Sequence, residues 1–315
     1  MIAEKVVLAL RLPHAMISFI LNTIAALLLG FFWLRFFRQV DAFEKESWKA
    51  SLACLGLGLL SPLITLIISP FFGDVFDQES TSGLLGYAII QVAAVEEFSK
   101  ILPFLFILYK TRWVNESIDF IKYPALSAIG FATTENILYA MEHGMEVLQY
   151  RAVLSFPGHL FFSMISGWFL HLGMRQSGGF PAPWFFAGYL IGVLAHGLYD
   201  FFLFTGEWAS IFSIALAAVF AFYIKKMIFW TIRDSEYFDE NKLPEIFRAG
   251  RFLWLGMIFL FLYTSVSAGI LSGNINSIVA YIIENGVPAL ISTSMLMALV
   301  GIDEKGFRKV LGINR

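Results

Sequence analysis

Long apolar runs, interrupted at intervals by short polar stretches, dominate the chain. Nine of them reach the ~20 residues an α-helix needs to cross ~30 Å of hydrocarbon. They are 15–36, 50–72, 84–109, 122–142, 152–174, 184–204, 208–230, 252–272 and 278–300. The pattern predicts an all-α fold, a polytopic transmembrane helical bundle of about nine spans. Residues 1–14 read as an amphipathic lead-in, 15–305 as a single bundle and 306–315 as a cytoplasmic tail. The longest connection, near 231–250, is polar and rich in turn residues, so no separate soluble domain is expected. Lys5 and Arg11 flank a short apolar VVLAL with no small-residue cleavage site, so no cleavable signal peptide is expected either. Gly188 and Gly192, four residues apart, predict close approach of two helix backbones.

Composition agrees with the pattern. Of 315 residues, 58% are hydrophobic and only 15% charged, and a mean hydropathy of +0.73 is too high for an ordinary water-soluble domain. The formal net charge is −2 and the basic residues are dispersed, which argues against nucleic acid and leaves the lipid bilayer as the first partner. Cys54 is the one cysteine and cannot form an intrachain disulfide.

Charge also sets an orientation, because Lys and Arg near span ends are retained on the cytoplasmic side. Alternate connections hold eighteen of them, and the opposite side holds three, Lys5, Arg11 and Arg151. The expectation is a multi-pass protein of the cell membrane with its C-terminus cytoplasmic and its N-terminus outside.

Polar residues inside the spans are the informative exceptions, since an ionisable group near the bilayer centre costs at least ~2.5–3.5 kcal/mol on insertion scales. Four consecutive spans carry them: Glu96, Glu97 and Lys100 in the third, Glu135 and Asn136 in the fourth, His159 and Ser163 in the fifth, His196 and Asp200 in the sixth. Residues three and four apart share a helix face, so both Glu96 and Glu97 reach Lys100, and His196 pairs with Asp200. Pro103 cannot donate to the Ser99 carbonyl and should bend the third helix just past its charged turn. His143 and His171 are expected to be packing or loop-edge residues outside the cluster. Counting ~1.5 Å per residue from the outer span ends puts Asp200, His159, Glu135 and His196 roughly 8–14 Å deep and Glu96 roughly 18 Å deep. The cluster should therefore open toward the extracytoplasmic half of the membrane.

Three of these stretches, Glu96-Glu97-Phe-Ser-Lys100, Phe131-Ala-Thr-Thr-Glu135 and His196-Gly-Leu-Tyr-Asp200, resemble the EExxK, FxxxE and HxxxD motifs of the PrsW family of intramembrane proteases. His159 best matches that family's additional histidine. The resemblance covers about 84–204, the expected protease core. The wider group of CAAX prenyl endopeptidases and bacterial immunity-associated membrane proteases ends its second motif in His and its third in Asn. This chain has Glu135 and Asp200 there. The resemblance implies an endopeptidase that cleaves single-pass membrane proteins, such as anti-sigma factors, near their extracytoplasmic juxtamembrane side.

Peptide hydrolysis needs an activated water, stabilisation of the oxyanion and a proton donor for the leaving amine, and the cluster offers all three. The resemblance suggests Glu96 as general base, Glu135 as a second group on the water, Lys100 as compensating charge, and His196 with Asp200 polarising the scissile carbonyl. The same residues suit one zinc ion, with His159, His196 and a carboxylate of Glu135 or Asp200 as ligands and a remaining glutamate as base. No HExxH motif occurs, nor a serine or cysteine in a nucleophile setting. An ion- or proton-coupled transporter also uses mid-membrane acids and bases, but no matched internal repeat is seen. A non-catalytic scaffold would have no use for every acid in the three motifs.

Overall fold

The computed structural model describes residues 2–176, 180–206 and 208–272, with isolated positions beyond 272. The expected span 278–300 and the tail 306–315 lie almost wholly outside the described residues. The helices are α1 (Ile2–Val40), α2 (Trp48–Leu60), α3 (Pro62–Ile68), α4 (Thr81–Gly86), α5 (Val95–Lys110), α6 (Asp119–His143), α7 (Val147–Val153), α8 (Ser155–Met174), α9 (Ala182–Thr205), α10 (Ser210–Arg233) and α11 (Leu243–Ser272). Among the described residues the fold is all-α, and six helical stretches are long and apolar enough to cross a membrane. They coincide with the expected spans 15–36, 50–72, 152–174, 184–204, 208–230 and 252–272. The expected spans 84–109 and 122–142 are helical but not among the six, because they carry the acids and amines that lower their hydropathy. The figure of nine spans is therefore not established.

Proline divides two of the spans. Pro62 has no N–H for a continuing helix, so α2 stops at Leu60 and α3 restarts with Pro62 in its first turn. Likewise Pro157 cannot donate to the Val153 carbonyl, and the chain breaks at Leu154 between α7 and α8. Pro103 stays inside α5, and one residue past the undonated Ser99 carbonyl the Ser127 hydroxyl donates to the Lys100 carbonyl at 2.5 Å.

The bundle is centred on α6, whose residues from Asp119 to Thr133 are all buried. It packs against α1, α2, α5 and α8, α9 lies against α8, and α11 lies against α1. Small residues permit these approaches. A Cβ on Gly192 would lie 2.5 Å from the Phe162 carbonyl oxygen, and one on Gly188 would lie 3.0 Å from that of Ile165, so α9 and α8 touch backbone to backbone. Leu63, Leu66, Phe186, Leu190 and Phe212 are exposed, as residues that face lipid should be.

Full burial of this stretch of α6 obliges its charges to pair. At its start Lys122 is 2.9 Å from Asp41 Oδ2 and 2.5 Å from Asp119 Oδ1, tying the end of α1 to α6. Sequence counting treats Lys122 as a loop cation, whereas here it is fully enclosed.

Candidate active site

The first element of the site is an unusual stretch of backbone. Residues Tyr87–Ala94 form a π-helix, with i→i+5 bonding, that runs directly into α5. Such segments are rare and often mark functional positions. Tyr189 of α9 donates its hydroxyl to the Ala94 carbonyl at 2.7 Å, and a Cβ on Gly197 would fall 2.7 Å from Ile89 Cα. The π segment is thereby fixed against α9.

The first α-helical turn after it presents Glu96, Glu97 and Lys100. Neighbours on an α-helix point about 100° apart, so the two glutamates diverge while Lys100 reaches both. Lys100 Nζ is 2.7 Å from Glu97 Oε1 and 3.3 Å from Glu96 Oε2. Glu97 is sealed, with 2% of its side chain exposed against 13% for Glu96. It accepts from Lys100, from His196 Nδ1 at 2.9 Å and from the Ser163 hydroxyl at 3.1 Å. Glu96 Oε2, by contrast, is buried without a hydrogen-bond partner.

Both imidazoles are held from two sides. Lys100 can only donate, so His159 Nδ1 accepts from it at 2.8 Å, and Nε2–H donates to Glu135 Oε2 at 2.9 Å. His196 Nε2 is 3.1 Å from Asp200 Oδ2 and 3.9 Å from Glu96 Oε2. The two rings lie 5.3 Å apart, and Phe162 stacks on His196 at 4.6 Å. Phe131, the aromatic position of the second motif, places its ring 4.5 Å from Lys100 Nζ.

These groups line a cavity of about 260 Å³ whose walls include Glu96, Glu135, Arg151, His159, His196 and Asp200. Tyr150, Leu203 and Phe204, the exposed residues of its lining, mark its mouth, near the helix ends joined by the 144–146 and 206–209 connections. The fold thus brings Glu96, Glu97, Lys100, Glu135, His159, His196 and Asp200 to one place. His143 stands at the surface beside Tyr139, and His171 packs between Phe120 and Trp168.

Two members of the site, Arg151 and Ser155, are absent from the set that the sequence suggested. Arg151 on α7 donates from Nη2 to Glu135 Oε2 at 2.6 Å and from Nε to Asn136 Oδ1 at 2.5 Å. Its signal was present: it is the only Lys or Arg between Lys122 and Arg175. Ser155, whose hydroxyl is 3.3 Å from His159 Nε2, is the other.

The profile of the PrsW family intramembrane metalloproteases matches residues 46–226, more than half of the chain. The chain belongs to the PrsW family. Among the relatives of this PrsW chain, Protease PrsW of Oceanobacillus iheyensis is 31% identical over 147 residues, which are 47% of this chain and 66% of the relative. Protease PrsW of Clostridioides difficile is 27% identical over 205 residues, 63% of this chain and 85% of the relative. That of Bacillus subtilis is 28% identical over 179 residues, 56% and 77%. No solved structure matches the chain. Helices α1 and α11 lie outside the matched PrsW region.

The metal in the family's description can be tested against these side chains. Glu96, His159 and His196 each offer a ligand atom within 4.8 Å of the others, and Glu96 Oε2, which faces Lys100 at 3.3 Å but takes no hydrogen bond, is among the oxygens available. Two imidazoles and a carboxylate are a donor set suited to a catalytic zinc ion. The residues fit, with Glu96 standing in the carboxylate position that the sequence suggested for Glu135 or Asp200. Those two lie on His159 Nε2 and His196 Nε2, on the same cavity as Glu96, and would be the nearest further carboxylates to an ion held there.

Proposed function

We propose that this chain hydrolyses a peptide bond of a single-pass membrane protein, of the anti-sigma-factor kind, at this cavity. The observation that carries the reading is Glu96 Oε2, a buried carboxylate oxygen that takes no hydrogen bond, on a cavity wall within 4.8 Å of a nitrogen of each imidazole and 3.3 Å from Lys100. A water there meets a group able to take its proton, and the neighbouring carboxylates and imidazoles are already held by partners that fix their direction. Glu97 orients rather than reacts, since its oxygens are engaged by Lys100, His196 and Ser163. His196 and Asp200 face the position of the scissile carbonyl, and His159 lies within reach of the leaving amine.

The family description favours a metal-assisted form of the same reaction. Glu96, His159 and His196 would hold the ion, which when bound supplies Lewis-acid activation of water and of the carbonyl. In that form Glu135, which also lines the cavity, takes the proton.

The cavity mouth lies at the helix ends that the charge pattern places outside the cell. A substrate is then cut in its extracytoplasmic juxtamembrane part, where the chain is already extended. The deciding experiment is cleavage of a tagged candidate substrate by purified protein with and without Glu96→Gln, with the cut bond mapped. Loss of cleavage in a folded variant supports the reading. Full activity, or a cut on the cytoplasmic side, overturns it.

A further inference from the structure

Glu135 shares one oxygen, Oε2, between two donors from different helices, His159 of α8 and Arg151 of α7. Arg151 is itself fixed three ways: by Glu135, by the buried Asn136, and by stacking 3.9 Å over the Tyr139 ring. Only 12% of its side chain is exposed. A carboxylate held by His159 alone could swing about that one contact, whereas a second donor at a fixed angle removes the freedom.

The helix bearing Arg151 is only seven residues long, too short for its own hydrogen bonds to hold it without packing partners. It packs on α6 and α8 and is held from beyond the family match as well. Gln149 donates to the Thr264 hydroxyl of α11 at 2.7 Å, and that buried hydroxyl donates in turn to the Phe261 carbonyl. Helix α1 braces the same end of the bundle: the buried Asn22 donates to the Ala140 carbonyl at 2.8 Å, and Tyr263 of α11 donates to the Leu21 carbonyl at 3.2 Å. Leu148 and Ala152 of α7 are buried alongside.

We propose that Arg151 is a positioning residue that holds Glu135 against His159, and that α11 sets its place through Gln149 and Thr264. The proposal rests on the reading of Glu96, Glu135, His159 and His196 as a hydrolytic site. It assigns a task to α11, which the family match leaves out.

The test is steady-state cleavage of one tagged substrate by full-length protein in detergent. The variants are Arg151→Gln, Arg151→Lys, Thr264→Val, the Arg151→Gln/Thr264→Val pair and Glu96→Gln, with thermal unfolding of each. Loss of an orienting contact of this kind costs about 10–100-fold in activity. We expect Arg151→Gln to lower kcat by that factor with KM within about twofold, and Arg151→Lys to recover part of the loss. Thr264→Val should lower kcat several-fold, and in the pair it should add nothing to the Arg151→Gln effect. A kcat for Arg151→Gln within twofold of wild type, a loss confined to KM, or multiplying losses in the pair overturns the proposal. Should Arg151→Gln not fold, Thr264→Val and Arg151→Lys carry the same comparison. An inactive Glu96→Gln beside an unaffected Arg151→Gln removes this proposal alone, whereas an active Glu96→Gln removes the hydrolytic reading beneath it.

Discussion

His196 Nδ1 lies 2.9 Å from Glu97 Oε1 across the α9–α5 interface. On the proposed reading Glu97, whose oxygens are engaged by Lys100, His196 and Ser163, directs the imidazole and Glu96 reacts. Glu97→Gln keeps the shape but loses the charge-assisted bonds, and it should lower kcat about 10–100-fold in a folded protein. Steady-state kinetics beside Glu96→Gln checks this: Glu96→Gln should be the more damaging of the two, and the reverse order would exchange their roles.

Removing Lys100 strands Glu96 and Glu97 without their cation. Breaking one side of a buried ion pair costs about 3–5 kcal/mol. Lys100→Met should lower the unfolding temperature sharply, and Lys100→Met combined with Glu97→Gln should recover part of the loss. Thermal unfolding in detergent measures both.

If Glu96, His159 and His196 hold a metal, elemental analysis of purified protein should find about one ion per chain. Chelation should abolish cleavage and added zinc restore it. Because the ligands must be deprotonated, occupancy should fall as pH falls. Normal turnover by metal-free protein would leave the Glu96 mechanism standing alone.

Backbone contact between α8 and α9 leaves no space at Gly192. Gly192→Leu must push α9 away and carry His196, one turn along, with it. A displacement of about 1 Å at a reacting group costs on the order of 100-fold in rate. Activity should drop by at least tenfold while the variant still enters the membrane, as cleavage and membrane-fraction assays would show.

Outside the spans, Glu116 in the α5–α6 connection is buried and accepts from the Ser235 hydroxyl at 2.7 Å. Burial pushes its carboxyl up to about 8 from an ordinary 4.5, and the Ser235 hydrogen bond offsets only part of that. A raised folded-state value means the stabilising contribution is complete below pH 4.5 and is lost as pH rises toward 8. Glu116→Gln keeps an acceptor for Ser235 and removes the ionisation. Its stability relative to wild type should therefore increase between pH 5 and 8, as unfolding at a series of pH values would show.

The acids, the lysine and the two histidines of the site were legible in sequence because each is costly in a membrane, and four neighbouring spans would not bear that cost idly. Their pairing in depth was less so. Arg151 reads as a lone loop cation until α7 is seen packed on α6 with the guanidinium on Glu135. The Asp41–Lys122–Asp119 triad was half visible, in the three-residue spacing of Asp119 and Lys122, but Asp41 joins from a helix far away in sequence. Hydropathy also hid the divisions at Pro62 and Leu154, because a window average counts apolar residues and ignores a missing N–H.

The π segment ahead of Glu96 gives a constraint of a different kind. Its eight residues, YAIIQVAA, look like interchangeable lipid filler. Yet a π turn takes up about one residue more than an α turn, and each residue added to or removed from a helix rotates everything beyond it by about 100°. Substitutions among Tyr87–Ala94 should be tolerated far better than the deletion of any one of them. With α9 clamped to this stretch through Tyr189 and Gly197, a deletion would turn Glu96 and Glu97 away from the histidines while leaving every side chain of the site in the sequence. In this stretch the count of residues carries the constraint, and their identity is secondary.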